Sequence, residues 1–425
     1  MEYICEKCID VVAVREEVKK LNIGENTCFY CGNVALVAHK KDIFSFIEDN
    51  FFSSILPISE CSSMEQASFW GGSDELSVKE IWEIIQNLEL GNDKLETDLI
   101  DYMSEGLTSS DNLFVIDDGT LDNNIYEDKW LGFIESISHD QRFFNNEVKI
   151  FLDELFSVIH ENKVVSDEIC TILEPNISLF RARIANSKAE RESIISNPSG
   201  QLGPVPRALA GEQRMTPRGI SAFYASSDRE TCFSEVRAIT GDMVISGEFI
   251  VNRALKLLDL TKLEKLSKKA YHLFEPNFSE KSHKGYFLNK LMFLLSKPAS
   301  NRKSSNYLET QVIFEYFRVN FGDDISGLIF PSVQTGLNGL NAVLFPENSN
   351  VNPFQYKPSL ELMFKECYHP EIGAYIYLKH DIKEVGSADN CSTLTFVEGS
   401  LELHYIKEVK TIAERKDVYI SCNEI

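Results

Sequence analysis

The 425-residue sequence predicts a multidomain α+β chain. Three observations predict it. Two Cys-x-x-Cys pairs stand within the first 31 residues. Apolar residues then recur with a period near 3.6 as far as about residue 170. Beyond that, short apolar runs broken by Gly and Pro dominate. One ordinary core does not serve a chain of this length, since domains typically run to roughly 100–200 residues.

Residues 1–40 come first. Cys5-Glu-Lys-Cys8 is followed, after 19 intervening residues, by Cys28-Phe-Tyr-Cys31-Gly32. Two such knuckles fit a tetrahedral four-thiolate zinc site, a zinc ribbon with Cys5, Cys8, Cys28 and Cys31 as ligands. All four positions are filled by protein, so the expected zinc is structural. So short a segment cannot bury enough apolar surface to fold alone, and metal binding would add on the order of 10 kcal/mol.

Residues 41–170 are expected to form a helical bundle. SVKEIWEIIQNLEL places Val78, Ile81, Ile84, Ile85 and Leu88 on one helical face, with Ser77 and Glu80 spaced as a capping box. KWLGFIESI and NEVKIFLDELFSVIHE repeat the rhythm. Asp118-Gly119 and Asn123-Asn124 mark turns between helices. His139 and His160 are read as structural or solvated residues.

From Pro175 the pattern changes to strands: SLFRARI, GISAFYAS, DMVISGEFIV, ALKLLDL, ISGLIFPSV, NAVLFP. Two helical segments interrupt them, RETCFSEVRAI and YLETQVIFEYFRVN. Residues 171–350 are therefore expected as a domain with a mixed or antiparallel sheet, and residues 351–425 as a β extension packed on it. Arg181, Arg214, Tyr224, Glu235 and Ser332 each stand at the end or edge of an apolar element. From there a side chain can enter a cleft supported by a rigid sheet.

Composition bounds the function. The formal net charge is −23, which disfavours general nucleic-acid binding. A small anionic ligand remains open, because screening over about 8 Å leaves a local arginine pair free to act. The sequence has no apolar run of membrane-spanning length and no signal-peptide pattern near its start, so a cytoplasmic protein is expected. In that setting the cysteines read as metal ligands and free thiols.

Between SLFRAR and NAVLF the chain resembles the RES domain family, named for an arginine, a glutamate and a serine. Its central signature stands here as Arg214-Met-Thr-Pro-Arg-Gly219, Tyr224 and Glu235. The closing signature stands as GLIFPSVQTGLNGLNAVLF with Ser332. YLETQVIFEYF, with Tyr307, Thr310 and Gln311, resembles the family's intervening helix. Residues 41–170 resemble the helical HEPN-related domain that accompanies some RES domains, on KWLGFIESISHDQRFF with Trp130, His139 and Arg142. Ribonuclease HEPN domains carry an arginine followed four to six residues later by histidine. This chain has no such pair, so the domain is read as non-catalytic.

The RES resemblance implies an ADP-ribosyltransferase-like fold and a toxin or defence enzyme that consumes NAD. Such an enzyme cleaves the nicotinamide–ribose bond and transfers ADP-ribose to water or phosphate. Two alternatives stay open: a protein ADP-ribosyltransferase using the same site, and a non-enzymatic RNA- or partner-binding module with an inactive RES domain. The resemblance further implies an antitoxin or regulatory protein as partner, and it admits oligomers.

The residue types suit that chemistry. NAD carries a diphosphate, two riboses and a cationic leaving group, and its cleavage passes through an oxocarbenium-like transition state. Arg181 and Arg214 are expected to hold the diphosphate through planar paired donors. Arg183 and Arg218 are the nearby alternatives, and Arg183, two residues along the strand, shares a face with Arg181. Tyr224 is expected to orient the nicotinamide ring, and Gly219 to form the turn that brings the cofactor-binding backbone round. Glu235 is expected to stabilise developing positive charge or bind ribose hydroxyls. Ser332 is expected to bond the nicotinamide ribose or amide.

Overall fold

In a computed structural model, the structure describes residues 2–71, 76–105, 112–263, 265, 271–296, 307–358, 365–369, 373–377, 380–385 and 392–410. The chain divides into two compact units. The first holds Met1–Val158 and Lys262–Leu295, and the second holds Ile159–Thr261 and Ser296–Ile425. This division is coarser than the four segments expected from the sequence. Both α-helices and a mixed sheet are present, as the α+β class requires.

The first unit begins with a three-stranded sheet in the order β1 (Tyr3–Cys5), β3 (Val34–His39), β2 (Glu25–Thr27). Cys5, Cys8, Cys28 and Val37 form a small cluster of their own, with Tyr3, Tyr30 and Ala35 against it, while other apolar residues of the segment join a larger core. Ile4, Ile9, Val14 and Ala38 pack with Phe44, Ile47 and Phe51 of the helix Lys40–Phe52 and with Leu95 and Leu99 of the helix Asp93–Ser104. β4 (Ile55–Pro57) pairs with β5 (Phe114–Ile116). Tyr126, Trp130 and Phe133 of the helix Ile125–Glu135 stack around Phe287 and Phe151.

Two sequence expectations change here. The helix expected from Ser77 starts at Ile81, because Lys79 forms a β-bridge with Phe114 and holds the chain extended. Glu80 takes the cap and Glu83 closes the box. The helix Phe278–Ser296, unforeseen in the strand-rich half, contributes to this first unit through Leu295. It is apolar on several sides, with Phe287, Leu288 and Leu291 buried and Tyr286 and Phe293 exposed, so it shows no single stripe.

The second unit opens with a hairpin of β6 (His160–Glu161) and β7 (Val164–Val165). The His160 ring lies 4.9 Å from that of Phe321, tilted at 51°. The main sheet has nine strands: β8 (Cys170–Leu173), β9 (Ser178–Ile184), β10 (Phe223–Ser226), β11 (Met243–Val251), β12 (Leu255–Asp259), β13 (Gly327–Ser332), β14 (Gly339–Leu344), β19 (Leu394–Phe396) and β20 (Glu402–Tyr405). β15 (Phe354–Pro358) pairs with β18 (His380–Val385), and β16 (Lys365–His369) with β17 (Gly373–Tyr377). The main order is β19-β11-β9-β10-β14-β13-β12-β8, with β20 also on β11. Every pairing is antiparallel except β12 with β13.

The tail therefore completes the sheet through β19 and β20. Leu179, Phe223, Ile245, Phe249, Leu344 and Phe396 form the core of one sheet face, joined by Ile194 and Leu202 from the short helices Lys188–Ser196 and Pro198–Leu202.

Candidate active site

The site begins at a gap in the sheet. β9 is bonded to β11 along seven residues, Ser178 to Ile184. β10 is bonded to β14 along all four of its own. Between β9 and β10 only one pair is made, Ser226 with Phe180. Beyond it the two strands part, and a cleft of ≈ 290 Å³ lies there, lined among others by Arg181, Gln213, Tyr224, Cys232, Glu235 and Asn341. That volume is close to the lower end, about 300 Å³, of small-molecule sites.

Glu235 arrives on the helix Arg229–Glu235. Asp228 caps it, accepting from Thr231 N at 2.7 Å and Thr231 Oγ1 at 2.8 Å. The helix sits close to the sheet because position 339 has no side chain. A Cβ on Gly339 would fall 2.2 Å from Thr231 Oγ1. Close approach brings Glu235 Oε1 within reach of two strands, and it accepts from Ser332 Oγ at 2.6 Å and from Asn341 Nδ2 at 2.7 Å. Asn341 Oδ1 in turn accepts from Ser226 Oγ at 2.7 Å.

Ser332 is fully buried and its hydroxyl is committed to Glu235. The hydroxyl expected to bond substrate thus donates to the carboxylate, and Ser332 is not among the residues lining the cleft.

Of the two arginines expected to hold a diphosphate, Arg181 lines the cleft and Arg214, next to the lining residue Gln213, does not. Arg181 lies over the Phe223 ring, 5.0 Å from its centroid. Burial, and then the nearby charge of Arg183, push its guanidinium down to about 10, so it stays cationic at neutral pH. Its Nη1 is buried and has no partner among the described residues, and the same holds for Nη1 of Arg214. Arg183 is half-buried, and burial lowers its pKa as well, but it is not among the lining residues. The structure thus brings Arg181, not Arg183, to the cleft. Gly219 makes a turn at φ +88° with its N–H on Ala210 O at 3.0 Å, and it does not line the cleft.

Tyr224 lines the cleft, but its hydroxyl is engaged with the Arg214 turn. It accepts from Met215 N at 3.2 Å and pairs with Thr216 Oγ1 at 3.0 Å. Burial pushes the phenol up to about 12, against the lowering charges of Arg181 and Arg214. The same turn is held from the helix Leu308–Phe321. Thr310 Oγ1 donates to Arg214 O, and Gln311 Nε2 donates to Gln213 O at 3.0 Å. Cys232 Sγ donates to Phe180 O at 3.0 Å. Burial holds its thiol up at about 11, so it is protonated and a poor nucleophile.

Of the residues singled out in the sequence, Arg181, Tyr224 and Glu235 line the cleft and Arg214 and Ser332 do not, while Asn341, Ser226 and Gln213, which do, were given no role. A signal existed for Asn341, since it is a lone polar residue within the buried strand GLNAVL.

The cysteine cluster can be tested against a metal on its own geometry. Cys5 Sγ lies 3.7 Å from both Cys8 and Cys31 Sγ, and Cys8 lies 3.8 Å from Cys28. Four thiolates at about 2.3 Å from a zinc ion would stand about 3.8 Å apart along the tetrahedron's edges. All four Sγ atoms lie within 4.8 Å of one another. Burial pushes the Cys8 thiol upward, while the backbone N–H of Asn33 pulls Cys31 down to about 7. Gly32, at φ +70°, closes the second knuckle with its N–H on Cys28 O at 2.9 Å. The donor set and spacing fit a tetrahedral ion, and these four cysteines could hold a metal.

Of the residues singled out in the helical region, Trp130 is buried, His139 is exposed 4.0 Å from Glu135, and Arg142 Nε donates to Ile137 O at 3.5 Å. No described helix is long and apolar enough to cross a membrane.

No curated protein matches the chain. Residues 179–364 match the family model of the RES domain, a span that contains every residue lining the cleft, and the chain thus carries a RES domain.

Proposed function

We propose that this RES domain cleaves the nicotinamide–ribose bond of NAD and transfers ADP-ribose to water or phosphate. One observation carries the reading: a buried guanidinium nitrogen of Arg181 lacks a partner among the described residues, in a cleft that also holds the fixed carboxylate of Glu235, and Nη1 of Arg214, one residue from the lining Gln213, lacks one too. Unpaired buried charge costs several kcal/mol, and an anion placed there offsets that cost. A diphosphate is such an anion, and Glu235 supplies negative charge where the ribose ring becomes cationic. Tyr224 presents its ring to the cleft while its hydroxyl holds the Arg214 turn.

We further propose that zinc occupies the four-cysteine cluster in a purely structural role, and that an antitoxin or regulatory protein restrains the enzyme.

Binding of ADP-ribose tests the anion reading without any chemistry. At a hundredfold over its Kd, ADP-ribose should add about 2.7 kcal/mol to the stability of the second unit, read as a rise in Tm. Arg181→Ala should remove one or two charged hydrogen bonds, each contributing about 1.5–3 kcal/mol, and raise the KM for NAD at least tenfold. No Tm shift with ADP-ribose, and an unchanged KM in Arg181→Ala, would overturn the assignment.

The pH dependence of KM follows from the same groups. Arg181, lowered to about 10, keeps its proton at neutral pH, and Tyr224, raised to about 12, keeps its own. KM for NAD should therefore be flat between about pH 6 and pH 9, and should rise above about pH 10 as Arg181 loses its charge. A KM that changes tenfold within the flat range would assign phosphate binding to another group.

A further inference from the structure

We propose that Asn341 is a positioning residue for Glu235, one that fixes which carboxylate oxygen faces the substrate. This rests on the NAD-cleaving reading of the cleft.

Glu235 is the last residue of a seven-residue helix, and a glutamate so placed has three side-chain torsions to fix. Two strands fix them. Ser332 at the end of β13 and Asn341 within β14 both donate to the same oxygen, Oε1. Among the described residues, no donor reaches Oε2. The two oxygens are thereby made unlike: one is saturated by protein, and the other is left to act on what enters the cleft.

The amide orientation is determined by its partners. A carboxylate only accepts, so Nδ2 must face Glu235. Oδ1 then accepts from Ser226 Oγ, and Ser226 is itself buried. Ser226 and Asn341 are direct cross-strand partners in the β10–β14 register. Asn341 is 5% exposed, a costly place for an amide unless every polar atom is paired. Packing alone would be served by an apolar residue. What an apolar residue cannot do is hold Oε1.

The test uses full-length protein and NAD, with kcat and KM for nicotinamide release measured for wild type, Asn341→Ala, Asn341→Asp and Ser226→Ala. Asn341→Asp is the deciding variant, because it keeps size and shape but replaces the donor with a second acceptor. Misplacement of a catalytic group costs about 100-fold. Asn341→Ala should lose about that much in kcat, with KM within about twofold of wild type. Asn341→Asp should lose at least as much, and Ser226→Ala less than either.

Asn341→Asp with kcat within about threefold of wild type would overturn the proposal, as would losses confined to KM. Should Asn341→Ala fail to fold, the isosteric variant and Ser226→Ala carry the decision. A wild type that releases no nicotinamide counts against the NAD reading instead. In that case a double-mutant cycle on Tm decides the contact itself. Asn341→Asp should destabilise the protein when Glu235 is present, and Glu235→Gln should relieve that penalty. Additive effects would overturn the coupling.

Discussion

Replacing Glu235 by Gln is expected to lower nicotinamide release by about 10³-fold while leaving the domain folded and its affinity for ADP-ribose within about threefold. A factor of that size is about 4 kcal/mol of transition-state stabilisation. The expectation comes from charge, not from shape. Gln keeps an oxygen that can still accept from Ser332 and Asn341, so the network around Oε1 survives. What is lost is the full negative charge opposite a ribose that turns cationic as the bond breaks. That loss should fall on kcat, since in the proposed binding mode the ground-state substrate is held through its diphosphate by the arginines and not by Glu235. Ser332→Ala acts through the same carboxylate and is expected to lose less, because Asn341 still holds Oε1. A Glu235→Gln enzyme with wild-type kcat would remove Glu235 from the chemistry and reopen the choice of catalytic group.

Stripping the metal is expected to have the largest effect on stability. A structural four-thiolate zinc site contributes on the order of 10–16 kcal/mol in isolated fingers. Here Ile4, Ile9 and Ala38 of the ribbon share a core with Phe44, Phe51 and Leu99, so the consequence spreads through the first unit. All three tryptophans, Trp70, Trp82 and Trp130, belong to that unit. Their fluorescence therefore reports it selectively. With a strong chelator, or in Cys8→Ser, the tryptophan transition should shift down by about 10 °C or more, as expected for several kcal/mol lost in a domain of this size. About one zinc per chain should be released as it does so. An unchanged transition, with no metal found in the purified protein, would return the cysteines to free thiols.

Much of the site was legible in the sequence because its residues interrupt apolar elements. Arg181 ends the run SLF, Tyr224 ends SAFY, and Glu235 lies at the apolar boundary of its helix. A polar residue in such a place must either be satisfied or face a ligand, and that constraint can be read without coordinates. The cysteine spacing was legible for a similar reason, since few arrangements other than metal binding use two knuckles at that distance.

What the sequence did not disclose depends on tertiary approach. Ser332 was expected to touch substrate, but the missing Cβ at Gly339 lets the Glu235 helix close over it and take its hydroxyl. Nothing local to Ser332 indicates this. Arg181 and Arg183 are equivalent by strand alternation. They are distinguished only by where β9 parts from β10. The cap expected at Ser77 moved to Glu80 because of a bridge to Phe114, 35 residues away in sequence. The helix Phe278–Ser296 escaped notice because it is apolar on several sides and lies among strand-like runs.

The most direct measurement incubates purified full-length protein with NAD, with and without inorganic phosphate, and follows nicotinamide by chromatography. The proposed function predicts nicotinamide release that Glu235→Gln lowers about 10³-fold, with ADP-ribose as the second product in water and a phosphorylated ADP-ribose where phosphate is the acceptor. Protein that carries its zinc and binds ADP-ribose, yet releases no nicotinamide under either condition, would contradict it. So would release accompanied only by ADP-ribose attached to protein, which would make the enzyme a protein ADP-ribosyltransferase.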